Sequence, residues 1–451
     1  MAQVFPFRAF RYNPTHAPFE QVLTQPYDKI SPAMQDKYYA ANPHNLITVE
    51  KGRVQPSDAE ANNVYTRAAA AIQEWIRSGV VVQDPTASFY GYTQEYTVPG
   101  TPQRATRRGF IGAGQLEEYS AGVIYRHEHT LSGPKADRLE LLRHMQISTG
   151  QLFLIYSDAQ KRVDQVLHDA EAAATPATEM TDEYGVVHRL WVIADTERVK
   201  SIQDAMADQK LVIADGHHRY ETALNYRNER RAAAGKTIPD ALHERAMMTF
   251  INTQGAGLTI LPTHRVVAKL RQFSWTELRR HLEPWFTAES IGFMDQDGKA
   301  KAREEFLHKL SAARAKRAIG VYSQVENGPR AFYVLTLREG VELSRLLPSV
   351  SPLQRELDVV LLHDGILEPG LGITPQSVAA ESHITYEREA GAALDAVDNG
   401  SAQIAFLLNA CDVEQVVKIA TGGEVMPQKS TDFYPKLMSG ITMYSVDPQW
   451  A

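Results

Sequence analysis

Among 451 residues there is one cysteine, Cys411. A single thiol excludes an internal disulfide and any zinc site built on clustered cysteines; Cys411 itself reads as a small buried hydrophobe. No long uncharged apolar run occurs, so no membrane span is expected. The N-terminal Met-Ala-Gln-Val-Phe-Pro-Phe-Arg lacks the basic-then-apolar pattern of a secretory signal, and a cytoplasmic location is expected. Positive charge is not in excess: Lys and Arg total 47 against 54 for Asp and Glu, a formal charge of -7. That balance argues against a nucleic-acid partner. Familiar catalytic signatures are missing too. Gly109, Gly112 and Gly114 do not fit GxGxxG, and no GxSxG elbow, HExxH helix or kinase HRD signature occurs. Lys429-Ser430-Thr431 resembles the end of a P-loop, but Glu424, Val425, Met426, Pro427 and Gln428 stand where its glycines would be.

What is present is an ordinary globular composition, 43% hydrophobic and 22% charged, in a chain long enough for two or three domains. Helical and strand patterns alternate irregularly, which predicts an α+β or mixed α/β fold. Strands are expected at 4–10, 152–156, 186–194 and 245–253, and a hairpin over 88–117 turning at Pro99-Gly100-Thr101-Pro102. Helices are expected at 58–77, 135–145, 163–174 and from about Tyr220. Residues 272–345 change character and read as a small α/β insert or subdomain between a core over 1–271 and a returning segment over 346–451.

The densest chemistry lies in Leu211-Val-Ile-Ala-Asp-Gly-His-His-Arg219, a strand running into a turn before a helix. Helix-start N–H groups beside an always-charged guanidinium suit a phosphate, and Gly216 lets the backbone approach it. Asp215 would repel a bare phosphate, which suggests a bridging Mg²⁺ or a substrate hydroxyl. The plain alternative is a buried Asp215–His217–His218–Arg219 network that only fixes the turn.

Three further segments are unusually rich in reactive groups. In Arg126-His127-Glu128-His129-Thr130, followed by Lys135, Asp137 and Arg138, the two histidines share a strand face and could hold a metal with one more ligand; a satisfied polar strand explains them as well, and no metal is assigned. Thr263, His264 and Arg265 end an apolar strand and fit substrate or phosphate contacts, or a core histidine with a capping threonine. Lys429, Ser430 and Thr431, with Tyr434 and Lys436, offer phosphate or carboxylate contacts. The rigid Gln25-Pro-Tyr-Asp-Lys-Ile-Ser31 turn contributes Asp28.

The strings IADGHHRYETA, PYDxIS, RHEHT with KxDR, LPTHR and MPQKSTxFYPK together resemble the bacterial and archaeal family called domain of unknown function 1015, over essentially the whole chain. The family supplies no activity. The DGHHR element is also similar to the phosphate-contacting loop of the ParB/sulfiredoxin-like fold, which sulfiredoxins carry as GxHR, ParB domains as GxRR and free-serine kinases as DGHHR or close to it. That resemblance implies a ParB/sulfiredoxin-like core with large insertions. It implies phosphate contacts from Gly216, His217, His218 and Arg219, with Asp215 orienting a hydroxyl or Mg²⁺, and an N-terminal acid as base, for which Asp28 and Glu20 are the candidates. His217 stands in place of the sulfiredoxin cysteine, so sulfiredoxin activity is not implied.

Phosphoryl transfer needs neutralised phosphate oxygens, a positioned acceptor and a nearby acid. The leading expectation is a small-molecule kinase using ATP or ADP with Mg²⁺, with free L-serine as acceptor. The alternatives are a metal-dependent phosphohydrolase using His127, His129, His217 and Asp215, and a non-catalytic nucleotide-responsive binding protein.

Overall fold

The computed structural model describes residues 2–128, 132–323 and 331–450. It is a mixed α/β protein divided into two compact units. The first comprises the chain up to Arg126, its continuation to Thr259, and the stretch from Pro435 onward; the second is built from residues 260–434 with His127 and Glu128. Residues 272–345, read from sequence as an insert, supply three strands of the second unit's sheet, and the 346–451 segment is shared between the two units.

The first unit is organised by a nine-stranded sheet. Its strands are β1 (Val4–Phe5), β2 (Phe89–Thr97), β3 (Arg104–Gln115), β4 (Ile124–Arg126), β5 (Leu152–Tyr156), β6 (Thr178–Thr181), β7 (Val187–Ile193), β8 (Leu211–Asp215) and β9 (Arg245–Asn252). They lie in the order β4-β8-β5-β9-β3-β2-β7-β6, with β1 on β3. The β4–β8 and β5–β9 pairs are parallel and the rest antiparallel. The expected hairpin is the β2–β3 pair. The glycines of β3 have a packing reason: a side chain at Gly112 would meet the Phe89 ring at 2.7 Å, and one at Gly109 would run into Ile251 and the Phe250 carbonyl.

Helices α1 (Val64–Arg77), α2 (Ser132–Met145), α3 (Arg162–Ala173), α4 (Thr196–Met206) and α5 (His217–Ala234) belong to the same unit. α1 starts later than its periodicity predicts, because Asn63 and Thr66 form a capping box that fixes its first turn. It buries Ala68, Ile72 and Trp75, one stripe of the helix. The unit's core joins Phe89, Phe110, Leu154, Ile213 and Phe250 of the sheet to Leu167, Ile202, Tyr220 and Leu224 of the helices. At about 1.5–3 kcal/mol for each fully buried large side chain, this packing fixes where β8 ends and α5 begins.

The second unit holds a six-stranded antiparallel sheet. It contains β10 (His264–Val267), β11 (Phe286–Gly292), β12 (Ile319–Ser323), β13 (Ala331–Leu337), β14 (Ile384–Glu387) and β15 (Ile404–Leu408), in the order β11-β13-β12-β15-β10-β14. Alternation divides β13 between two faces. Phe332 and Val334 join the core formed with α7 (Gln296–Ala312) and α8 (Ala390–Asp398), whereas Tyr333 packs on Trp275 of α6 (Trp275–Leu282). The apolar run after Leu357 is a helix at Asp358–Leu362 that widens into a π turn over His363–Leu367.

Candidate functional site

Asp215 is the last residue of β8, and the ladder to β5 is irregular between Ile213 and Asp215. Gly216 follows in the left-handed region, φ 92°, which L side chains rarely adopt. α5 then begins at His217, earlier than the sequence pattern suggests, so His217, His218 and Arg219 form its first turn rather than a loop before it. His217 is buried and His218 half-buried. The first N–H groups of any helix lack carbonyl partners within it, so this turn presents a partly positive end.

Arg219 curls back over that turn. A Cβ on Gly216 would lie 3.2 Å from its Nε and Nη2, and one on Gly150 would lie 3.0 Å from its Nη1. Nη1 donates to the carbonyl of Gln151, just before β5, and Nη2 stands 4.0 Å from Asp215. On the other side Lys436 Nζ donates to Asp215 Oδ2 at 2.9 Å. Burial alone would raise the Asp215 carboxyl. The charges of Lys436 and Arg219, with the Lys436 hydrogen bond, outweigh it and hold the group well below the usual carboxylate range.

Lys436 is brought there by two buried side chains of the β2–β3 hairpin. Gln94 Nε2 donates to the Lys436 carbonyl at 2.7 Å, and Arg107 donates to the Pro435 carbonyl and to Gln94 Oε1. Burial pushes Arg107 down to about 10, and its guanidinium covers the Phe153 ring at 4.7 Å. Sequence reasoning passed over Gln94 and Arg107, and it named Lys436 beside Lys429 without pairing it with Asp215. The one available signal was a charged residue, Arg107, on the inward phase of a strand.

A cavity of about 70 Å³ adjoins Arg219, lined by Glu50, Arg138, Thr149, Gly150 and Thr222 among others. Glu50, also missed, is 3% exposed. It accepts hydrogen bonds from the hydroxyls of Thr149 and Ser439. Arg138 donates to the Glu50 carbonyl at 2.8 Å and to Asp137 at 2.6 Å, and lies 4.4 Å over the Tyr27 ring. Asp137 in turn accepts from Tyr65 Oη at 2.9 Å, tying α2 to α1. The Tyr27–Lys29 turn is held by Lys51, whose Nζ donates to the carbonyls of Tyr27 and Ile30. Burial raises the Tyr27 hydroxyl, Arg219 and Arg138 lower it, and Asp28 and Glu50 raise it, which places the turn among these charges. Asp28 itself is exposed, as is Glu20, which lies on the short helix Phe19–Val22. Arg126, ending β4, stands 4.0 Å from Glu221 of α5 and covers Tyr119.

The remaining sequence candidates gather in the second unit. The His127 carbonyl accepts from Met426 N–H at 2.7 Å, and its Nε2 shares a hydrogen bond with Thr431 Oγ1 at 2.9 Å. Glu128 Oε1 accepts from Lys429 N–H at 2.6 Å, and Ser430 Oγ donates to the Pro427 carbonyl. Arg265 is buried; its fork donates to the carbonyls of Thr263, Gln428 and Lys429 and, through Nε, to His363 Nε2 at 3.1 Å. Burial, with the Arg265 charge, pushes His363 down to about 3, so its ring stays neutral and accepts. His264 Nδ1 accepts from Leu408 N–H at 3.2 Å, and burial with Arg265 pushes it down to about 4. His129 and Thr130 lie outside the described residues. Among the described residues no group of three or more His, Cys, Asp or Glu is arranged to hold a metal ion, and no helix is long and apolar enough to cross a membrane.

The chain belongs to the DUF1015 family of proteins of unknown function, whose model matches residues 4–360. No curated protein matches it. Among solved structures, a conserved hypothetical protein from Pyrococcus furiosus is similar at 14% identity, over 72% of this chain and 92% of its own, with a TM-score of 0.33. A free serine kinase in complex with AMP is similar at 12% identity, over 72% and 89%, with a TM-score of 0.33. SbnI with a C-terminal truncation, from Staphylococcus aureus, is similar at 10% identity, over 73% and 85%, with a TM-score of 0.32. Scores this low do not establish a common fold.

Proposed function

We propose that this protein is a small-molecule phosphotransferase that moves a phosphoryl group from ATP or ADP to a metabolite hydroxyl, with free L-serine as acceptor and O-phosphoserine as product. The observation that carries this reading is the Gly216 turn, around which Asp215, the first turn of α5, Arg219 and Lys436 converge. A nucleotide phosphate there would accept from α5 amides and from the two cations. The resemblance of this same turn to the DGHHR loop of free-serine kinases supports the choice of acceptor, and the ParB-like core belongs to the same proposal.

Asp215, held ionised by two cations, is a weak base. In this reading it holds Lys436 in place and orients the acceptor hydroxyl. Lys436 already takes Asp215 Oδ2 at 2.9 Å and Arg219 faces Oδ1 at 4.0 Å, so in this reading Mg²⁺ accompanies the nucleotide as part of the co-substrate. The acceptor oxygen forms a bond to the transferred phosphorus, the bond to the departing nucleotide breaks, and the hydroxyl proton passes to a base, for which Asp28 is the candidate.

Phosphorus NMR of the protein with Mg²⁺, ATP or ADP and a panel of hydroxyl metabolites tests this. The expected result is a new phosphomonoester with L-serine that is lost in Arg219→Ala and Asp215→Asn. Release of free phosphate alone would point to a hydrolase, and nucleotide binding without turnover to a binding protein; either overturns the kinase reading.

A further inference from the structure

Glu50 is the least expected group in the first unit. The residue lines a cavity and is 3% exposed, and its carboxylate makes no ion pair among the described residues; the hydroxyls of Thr149 and Ser439 donate to it. No cation among the described residues pairs with it directly, so a small cation entering the cavity would gain a charge-assisted contact there. The same cavity is lined by two guanidinium groups, Arg138 and Arg219, and otherwise mostly by apolar side chains such as Leu141, Leu152 and Met247. Its volume, about 70 Å³, is room for a handful of waters at about 10–15 Å³ each. That suits a ligand of a few heavy atoms and is far too small for a nucleoside.

We infer that this cavity is the acceptor subsite and takes a small α-amino acid, its ammonium on Glu50 and its carboxylate on the Arg138 N–H groups that Asp137 and the Glu50 carbonyl leave open. The assignment rests on the phosphotransferase reading for the word acceptor, but the binding it describes stands apart from turnover. With the amino acid held by these two groups, its side-chain hydroxyl is left toward Arg219, the residue shared by the cavity and the Gly216 turn. Glu50 is in this account a binding group and not the base.

Calorimetry on the full chain without nucleotide tests it with three probes: L-serine, 3-hydroxypropanoate, which lacks the ammonium, and ethanolamine, which lacks the carboxylate. L-Serine is expected to bind, each truncated probe to bind at least about tenfold more weakly, as loss of a charge-assisted contact implies, and Glu50→Gln to erase the preference for L-serine over 3-hydroxypropanoate. The two probes on the unaltered protein keep the test valid if Glu50→Gln does not fold. Equal binding of L-serine and 3-hydroxypropanoate, or no binding of L-serine, would overturn the subsite. So would a Glu50→Gln protein that binds L-serine normally and loses only kcat, since Glu50 would then be the base. L-Serine binding as expected with no phosphoryl transfer would sink the kinase reading and leave the subsite standing; transfer to hydroxyl compounds lacking an amine, with no L-serine binding, would do the reverse.

Discussion

Two arginines, one in each unit, show how the same side chain serves opposite ends. Arg265 is 1% exposed, and its fork is filled by three backbone carbonyls and a neutral histidine nitrogen. Arg219 is also largely buried, but one donor goes to the Gln151 carbonyl, and among the described residues its Nε and Nη2 make no hydrogen bond. Those N–H groups lie over a glycine turn, beside a cavity and across from a carboxylate. A guanidinium whose donors end on carbonyls is a strut holding loops together. One that keeps donors beside open space and a movable counter-ion is built to exchange partners.

The sharpest test of that contrast is Arg265→Met. Three carbonyls and His363 would lose their donor at about 1–3 kcal/mol each, so a stability loss of about 4 kcal/mol or more is expected by chemical denaturation, with nucleotide affinity unchanged in whatever protein remains folded. A well-folded variant with weakened nucleotide binding would break the comparison. Arg219→Ala should do the converse, losing nucleotide binding at a stability cost of about 1 kcal/mol, the worth of one hydrogen bond.

Next in size is an acid effect in the first unit. The Asp215 carboxyl is held below its unfolded value by Lys436 and Arg219. Such a group contributes stability that is fully present above the unfolded value, about 4, and is lost as pH falls through the lower folded one. Asp215→Asn should therefore cost about 2 kcal/mol at pH 7, and the gap to the unaltered protein should narrow below about pH 4. A gap that does not change with pH would mean that the Lys436–Asp215 pair is not the source.

The Asp215–Arg219 turn was legible in the sequence because strand residues, a glycine and four polar side chains follow one another within a single local element. The hairpin was legible from its turn residues. Glu50, Gln94 and Arg107 were not, nor was the pairing of Lys436 with Asp215, because these roles depend on contacts far apart in the chain, such as the 221 positions between Asp215 and Lys436. The start of α5 was misplaced for a physical reason: two histidines and an arginine read as loop chemistry, yet Gly216 in the left-handed region lets the helix begin with them.

Gly216→Ala comes third. An L side chain at φ 92° costs about 1–2 kcal/mol, and its Cβ, 3.2 Å from the Arg219 fork, would push that group off the turn. Thermal unfolding should register the strain, and nucleotide affinity should fall about tenfold. A variant that loses stability but keeps its affinity would show that Arg219 does not depend on the glycine for its pose.

The smallest expected effect concerns Lys429, an exposed left-handed residue of the second unit, φ 58°. Its side chain was a phosphate candidate, but the interaction that defines it here is its backbone N–H donating to Glu128. Lys429→Gly keeps that bond, relieves about 1 kcal/mol of backbone strain and adds a somewhat smaller entropy cost in the unfolded chain. The sum is a change of about 0.5 kcal/mol or less, with nucleotide affinity untouched. If affinity falls instead, the Lys429 ammonium itself reaches a phosphate, and the division between a binding unit and a strutted one fails at that residue.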